Sequence, residues 1–346
     1  MEATSRKGIA GSTLKLIAII TMLIDHTGAT LVERTMYARG YLEAANDSAG
    51  LTSWFTSTPS NIMLFFLDML MRFTGRIAFP IFIFLLVEGF THTHNRAKYL
   101  LRMVIFTIIA EIPFNLAIDC SLSSPFYQSV FFTLTIGLLV LWGMETLKNK
   151  TYEGVIFVIL KYVSFFLFGF VGFYIFAQTI IGSIVFPLLP DVIWSVPVTV
   201  FGLSIYIPGP AFLLVSSVTG VISLIVFFIV TANKDNNAVI SEALSWFPVY
   251  GGLILADFLF TDYAASGILA IVLMYIFREK KTKAMLISVL ALSIINPLEI
   301  IALVDTAFVS MYNGERGLKL KYVFYAFYPA HLLILYLIGH FIMHVM

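Results

Sequence analysis

Charge is what this sequence has least of. Only 12% of its 346 residues are Asp, Glu, Lys or Arg, against about 25% in an ordinary soluble domain. A soluble enzyme of this length would lack the polar surface it needs to face water. The formal net charge is +1, so there is no basic excess to hold a phosphate backbone, and a nucleic-acid binder is excluded. Low charge combined with 60% hydrophobic residues is the reverse of a disordered composition. Cys120 is the single cysteine, which excludes an intrachain disulfide, a CxxC redox pair and a Cys-based zinc cluster. Walker, GxGxxG and HExxH motifs are also missing.

What is there is long apolar runs. A spanning helix needs about 20 apolar residues, and runs of that length recur along the chain. A membrane β-barrel would show short alternating segments instead. The fold class is therefore all-α, a polytopic helical membrane protein. Candidate spans fall at 14–32, 62–91, 99–118, 128–146, 154–189, 192–230, 243–260, 264–277, 284–304 and 322–343. Pro187, Pro190, Pro197, Pro208 and Pro210 interrupt 154–230, so the count is about ten or twelve, according to whether that region forms two long spans or four short ones. The first span is read as a membrane helix, not a cleaved leader, because hydrophobicity resumes after Asp25 and His26.

Lys and Arg choose the orientation. Arg6, Lys7 and Lys15 precede the first span, and Arg96, Lys98 and Arg102 follow the second. Lys148 and Lys150 follow the fourth, and Arg278, Lys280, Lys281 and Lys283 follow the eighth. Loops 119–127, 190–210 and 261–263 carry neither residue. Both termini are expected in the cytoplasm. Arg316, Lys319 and Lys321 conflict with this scheme. Either 284–312 does not cross as drawn, or that cluster binds an anion. The stretch 33–60 is expected to form an interfacial cap through Tyr41, Trp54 and Phe55.

The few charges inside apolar runs carry the chemistry, since each costs about 2.5–3.5 kcal/mol at a helix centre. Asp25 and His26 lie within the first span and point about 100° apart. Asp68, Arg72 and Arg76 share a face of the second span, where Asp68 can pair with Arg72. Arg76 then needs a partner from another element. Pro80 removes the bond to the Arg76 carbonyl, so a kink is expected there. Glu88, His92 and Arg96 repeat the four-residue spacing, and Lys98 and Arg102 extend a basic rim suited to an anionic ligand. Glu111, Asn115 and Asp119 share a face around Pro113. Glu299 lies in the ninth span, and Tyr328 and His331 share a face of the last. The His340 and His344 pair is weak as a metal site, and no metal is expected.

Several blocks resemble one family. KLIAIITMLIDHTG at Lys15–Gly28 is similar to the first-helix signature of the TraX family. Gly75–Tyr99, GRIAFPIFIFLLVEGFTHTHNRAKY, resembles its second block, which runs on to EIPFNLA, and FFTLTIGL at Phe131–Leu138 follows. Thr261–Gly267 resembles its TDYGxxG turn, with Ala264 in place of the first Gly. Tyr312–Gly317 and FYAFYPAH at Phe324–His331 resemble its C-terminal signature. The blocks cover about 14–147 and 243–340. The chain is thus read as a single membrane domain with a hydrophobic insertion at about 152–242.

The resemblance implies an acyltransferase-3-like bundle in the cytoplasmic membrane. It implies acetyl-CoA as co-substrate and an envelope acceptor, either a pilin N-terminus, as in conjugation, or a surface glycan. His26 is the implied catalytic residue and Arg76 would serve the acyl donor or the oxyanion; from the residues themselves, Asp25 would orient a neighbouring donor or hold Arg76 or Arg72. Arg72, Arg96, Lys98 and Arg102 are the cations expected to hold CoA. Glu88, Glu111, Asn115, Asp262, Tyr263, Glu299, Asn313, Arg316, Tyr328 and His331 are expected to contact substrate or support the site. The residues themselves allow the same chemistry. Acetyl transfer needs a base, worth roughly 10²–10⁴-fold, and an oxyanion donor, worth roughly 10²–10³-fold. Two other readings stay open at this point. One is a secondary transporter, favoured by broken helices and midplane charges. The other is a non-catalytic subunit of an envelope assembly machine.

Overall fold

The computed structural model describes residues 8–125, 127–176, 195–200, 203–318 and 321–344. Arg6, Lys7, Pro187, Pro190 and Lys319 lie outside the described residues, as does the end of the 154–189 span. The chain divides into two compact units, 1–135 with 259–346, and 136–258. Lipid offers the backbone no hydrogen bonds, so its polar groups must pair within the segment. The apolar runs accordingly form helices. Among the described residues, seven helical stretches are long and apolar enough to cross a membrane, from Gly11–Ala38 to Asn236–Phe258, with shorter apolar helices at Ala264–Ile276 and Tyr325–Phe341. This marks a multi-pass membrane protein. Met63, Phe66 and Leu70 share one face of the second stretch and stay exposed, as expected where lipid is the solvent.

In the first unit, α1 (Gly11–Thr27) continues through a π-helical turn, Gly28–Val32, into α2 (Glu33–Ala38). The stretch expected as a cap is helical, as α3 (Tyr41–Ala44) and α4 (Ser48–Ser57). Trp54 closes it by donating from Nε1 to the Arg39 carbonyl at 2.9 Å. Next come α5 (Pro59–Gly75) and α6 (Ala78–Thr91). The break between them falls at Arg76 and Ile77, one turn before Pro80, the proline expected to open the ladder there. Asn95 caps α7 (Arg96–Asp119), its side chain accepting from the Lys98 amide at 2.8 Å. α8 (Val130–Lys148) begins in this unit and ends in the other.

The second unit adds α9 (Val155–Phe176), α10 (Pro210–Thr231), α11 (Asn236–Ser245) and α12 (Phe247–Phe258). The sequence leaves the candidate span at 192–230 open between one long broken span and two short ones. Instead β1 (Ser195–Val200) pairs antiparallel with β2 (Leu203–Pro208), Ser195 opposite Pro208, and α10 starts only at Pro210. The β-branched run and the prolines at 197, 208 and 210 explain the correction. Between α9 and α10, Gly169 leaves no room for a side chain against the Thr219 carbonyl. Small residues let apolar helices approach in this way. Phe165 and Phe227 stack 4.8 Å apart in the same seam.

The first unit resumes with α13 (Ala264–Ile276) and α14 (Lys281–Ile295). The span expected over 284–304 does not run through. α14 stops at Asn296, and Pro297 opens a 3₁₀ stretch, Pro297–Val304, that folds back on it with α15 (Asp305–Ser310). The chain then hydrogen-bonds to the residues that open α1. Asn313 donates to the Ile9 carbonyl at 3.0 Å, Gly11 to Glu315 at 2.8 Å and Ser12 to Arg316 at 3.1 Å. Gly317, at φ +68°, lies so close to Ser12 that only glycine fits. The conflict over Arg316 is thereby resolved, because 311–317 lies at the end of the unit where α1 begins. Finally α16 (Lys321–Leu337) runs in the same direction as α1, and the turn after it, Ile338–Met343, packs on Gly28–Val32.

Candidate active site

Two polar clusters meet on α1, one on each side of the helix. Asp25 faces α5, where Gly75 has no side chain and Asp25 occupies the room a Cβ would need. Close approach at Gly75 therefore lets Asp25 reach both arginines. Its carboxylate meets Arg72 at 2.9 Å and Arg76 at 3.7 Å. The expected pairing of Arg72 with Asp68 is not formed, since Arg72 turns to Asp25 instead. One Asp68 oxygen is buried without a hydrogen bond among the described residues. Arg76 closes a second contact, Nη1 to Glu299 Oε1 at 2.8 Å. Glu299 is only 1% exposed and is carried there by the fold-back after Asn296. A buried carboxylate needs such a partner.

His26 faces α16. Its Nδ1 lies 2.6 Å from His331 Nε2, and the two imidazoles are parallel to within 1°. His331 Nδ1 lies 2.8 Å from the Phe327 carbonyl. A carbonyl only accepts, so His331 carries its proton on Nδ1 and its Nε2 is an acceptor. His26 must then donate from Nδ1, which leaves the lone pair of His26 Nε2 available. This is the tautomer a general base requires. The π turn begins two residues after His26, and Thr30 donates to the His26 carbonyl at 2.5 Å. Turns of this kind are frequent at functional sites.

Tyr328 joins the histidines to a cavity. Its ring stands edge-on to His26 at 5.7 Å, to His331 at 5.6 Å and to Phe131 at 4.8 Å. The cavity holds about 220 Å³ and is lined by Tyr328, Phe131 and Met22 and by the apolar side chains of Phe82, Leu85 and Leu134. Lys15, Arg102 and Arg316 also line it. Tyr325 forms one wall, stacked on Phe106 at 4.4 Å.

Of the four cations expected to hold CoA, only Arg102 borders this cavity. Arg72 is bound to Asp25, Arg96 lies over the Phe90 ring at 4.8 Å, and Lys98 is exposed. Glu88 contacts Lys281 at 3.5 Å, away from the histidines. Asn313 serves the turn that binds Ile9, its side chain accepting from the Glu315 amide at 2.9 Å. Lys15 was read only as a topology signal. Its spacing from Met22 and His26, seven and eleven residues on along one helical face, is the pattern that could have placed it here.

The remaining expected residues gather around the α12–α13 turn. Tyr127 donates to Asp262 at 3.1 Å, Thr133 donates to the Asp262 carbonyl, and Ser129 donates its amide to Glu111 at 3.3 Å. Asn115 is buried beside them on the Glu111 face of α7. Burial pushes the Asp262 carboxyl up to about 6, with the Tyr127 hydrogen bond acting against it. Tyr263 stacks on Phe79 at 3.7 Å. Ala264 has φ +42°, a conformation natural to glycine, at the position where the resembled motif has one.

These blocks lie in their expected order along a match that covers most of the chain: the family described as TraX protein matches residues 10–256 and 221–339. The chain belongs to the TraX family. A relative named as a probable fimbrial assembly protein FimC, serogroup H1, of Dichelobacter nodosus is 42% identical over 79 residues. That match covers 20% of this chain and 32% of the relative, so the chain spans about a third of the relative's length. No solved structure matches. Within this TraX-family chain, His26 and His331 belong to separate signature blocks, and the fold places them in contact.

Proposed function

We propose that this protein is an acetyltransferase of the cytoplasmic membrane, with the acyltransferase-3-like bundle its sequence blocks resemble. It moves an acetyl group from cytosolic acetyl-CoA to an amine or hydroxyl of an envelope acceptor, a pilin N-terminus or a surface glycan. The observation that carries this reading is the polarised pair His26–His331 beside a cation-lined apolar cavity. Lys15, Arg102 and Arg316 suit the phosphates of CoA. The apolar lining of Phe82, Leu85 and Leu134 suits its uncharged arm. Names of relatives agree in direction, since one is a fimbrial assembly protein.

His26 Nε2 takes the proton of the acceptor as it attacks, and His331 holds the ring in the required tautomer. Asp25, Arg72, Arg76 and Glu299 fix α1 against α5 and the fold-back, so that the base keeps its position. On this reading the basic end of the first unit faces the cytoplasm. The parallel course of α1 and α16 favours an end of α16 on the opposite side, where the loop charges alone favour both termini in the cytoplasm.

The test is acetyl-CoA consumption by the purified protein in liposomes, with and without His26→Ala. Loss of at least about 100-fold is expected. Full activity in the variant would remove His26 from the mechanism. Partner binding without turnover would favour the assembly-subunit reading, which the name of the fimbrial relative supports, and solute counterflow without an acyl donor would favour a transporter.

A further inference from the structure

We infer that the Tyr328 hydroxyl is the hydrogen-bond donor that stabilises the oxyanion of the acyl-transfer step, a role that rests on the acetyltransferase reading. Arg76 was the first candidate for it. Its guanidinium, however, is held between Glu299 at 2.8 Å and Asp25 at 3.7 Å, and Arg76 does not border the cavity. It acts as a positioning residue.

Tyr328 differs in each respect. It borders the cavity and also packs against His26. It is only 3% exposed. Its hydroxyl oxygen is buried and has no hydrogen-bond partner among the described residues. Leaving such a group unsatisfied costs about 1–3 kcal/mol, and a buried Tyr hydroxyl ordinarily finds a partner. Phenylalanine would fill the same slot without that penalty, as Phe327 does one residue earlier, where its ring stacks on His331 at 4.8 Å. Another tyrosine hydroxyl on α16, that of Tyr325, is engaged with Met103 Sδ at 3.9 Å. Phe131, His26 and His331 pack the Tyr328 ring edge-on from three sides, so the hydroxyl is preorganised. A preorganised donor is what a developing negative charge requires.

The step balances without a further reactant. The acceptor nitrogen or oxygen bonds to the acetyl carbon, its proton passes to His26 Nε2, and the carbonyl π pair moves onto oxygen. Tyr328 donates its O–H to that oxygen and keeps its proton throughout. The oxygen pair then returns, the carbon–sulfur bond breaks, and the leaving thiolate takes the proton from His26.

Steady-state kinetics of wild type, Tyr328→Phe and a 3,5-difluorotyrosine variant at 328 test this inference, alongside thermal unfolding of each. In the Phe variant kcat is expected to fall roughly 10²–10³-fold with the acetyl-CoA KM within about threefold of wild type. The difluorotyrosine variant, which keeps the hydroxyl, is expected to retain transfer. Wild-type transfer with a Phe variant within about threefold in kcat overturns this inference alone. So does a loss shared by the Phe and difluorotyrosine variants, or one that follows unfolding. No transfer by wild type overturns the acetyltransferase reading and this inference together.

Discussion

The two units of this chain bury different things. The first holds an arginine between two carboxylates and a pair of bonded imidazoles, all between apolar helices. In the second, the buried cation Lys161 donates to the Asn236 side chain at 2.8 Å, and stacked aromatic rings and close glycine contacts fill the rest. A charge in a membrane helix costs about 2.5–3.5 kcal/mol. The first unit carries several: Arg76 is held by Asp25 and Glu299, while Asp305 is fully buried with no hydrogen-bond partner among the described residues. The second unit shows that helices of this chain assemble on Phe and Gly contacts with hardly any such groups.

The largest expected effect breaks that contrast at its ion pairs. Arg76→Leu strands the buried Glu299, while Asp25 keeps Arg72 at 2.9 Å, and should destabilise the protein by about 3–5 kcal/mol. Lys161→Met leaves only an amide oxygen without its partner and should cost about 1–2 kcal/mol. Thermal unfolding in one detergent compares them, and equal losses would mean that the two units do not differ. Next in size, His331→Phe removes the acceptor that orients His26 and should lower kcat at least about tenfold without unfolding the protein. Smaller again, on the proposed acetyltransferase reading, Arg102→Ala and Arg316→Ala should each raise the acetyl-CoA KM about tenfold and weaken its salt dependence, with kcat unchanged. The smallest effect is a gain. Ala264→Gly relieves a left-handed residue and should stabilise by about 1 kcal/mol, read as a rise in unfolding temperature.

Much of the architecture was legible because lipid forces long apolar runs into helices. His26, Arg76 and Tyr328 stood out as polar groups inside those runs. The fold-back at 297–310 did not, because its residues are as apolar as a span and Asn296–Pro297 is a weak signal alone. The basic loop at Arg316 was the one hint, and its disagreement with the charge pattern was correct. Pairing was harder to read than position. Asp68 and Arg72 have ideal helical spacing, yet Gly75 brings Asp25 closer, and contact across helices is not visible in spacing along one. The role of Lys15 was hidden for a different reason, since a lysine before a first span is equally explained by topology.

The division of labour between the units is tested most directly by acetyl transfer measured side by side for His26→Gln and Trp246→Phe. Gln keeps a hydrogen bond in reach of His331 but removes the base, and Trp246 stacks on Tyr250 within the second unit. The expected result is a loss of at least about 100-fold for His26→Gln, with Trp246→Phe within about threefold of wild type. Equal losses in the two variants, or full activity in His26→Gln, would contradict a reaction centred on the first unit.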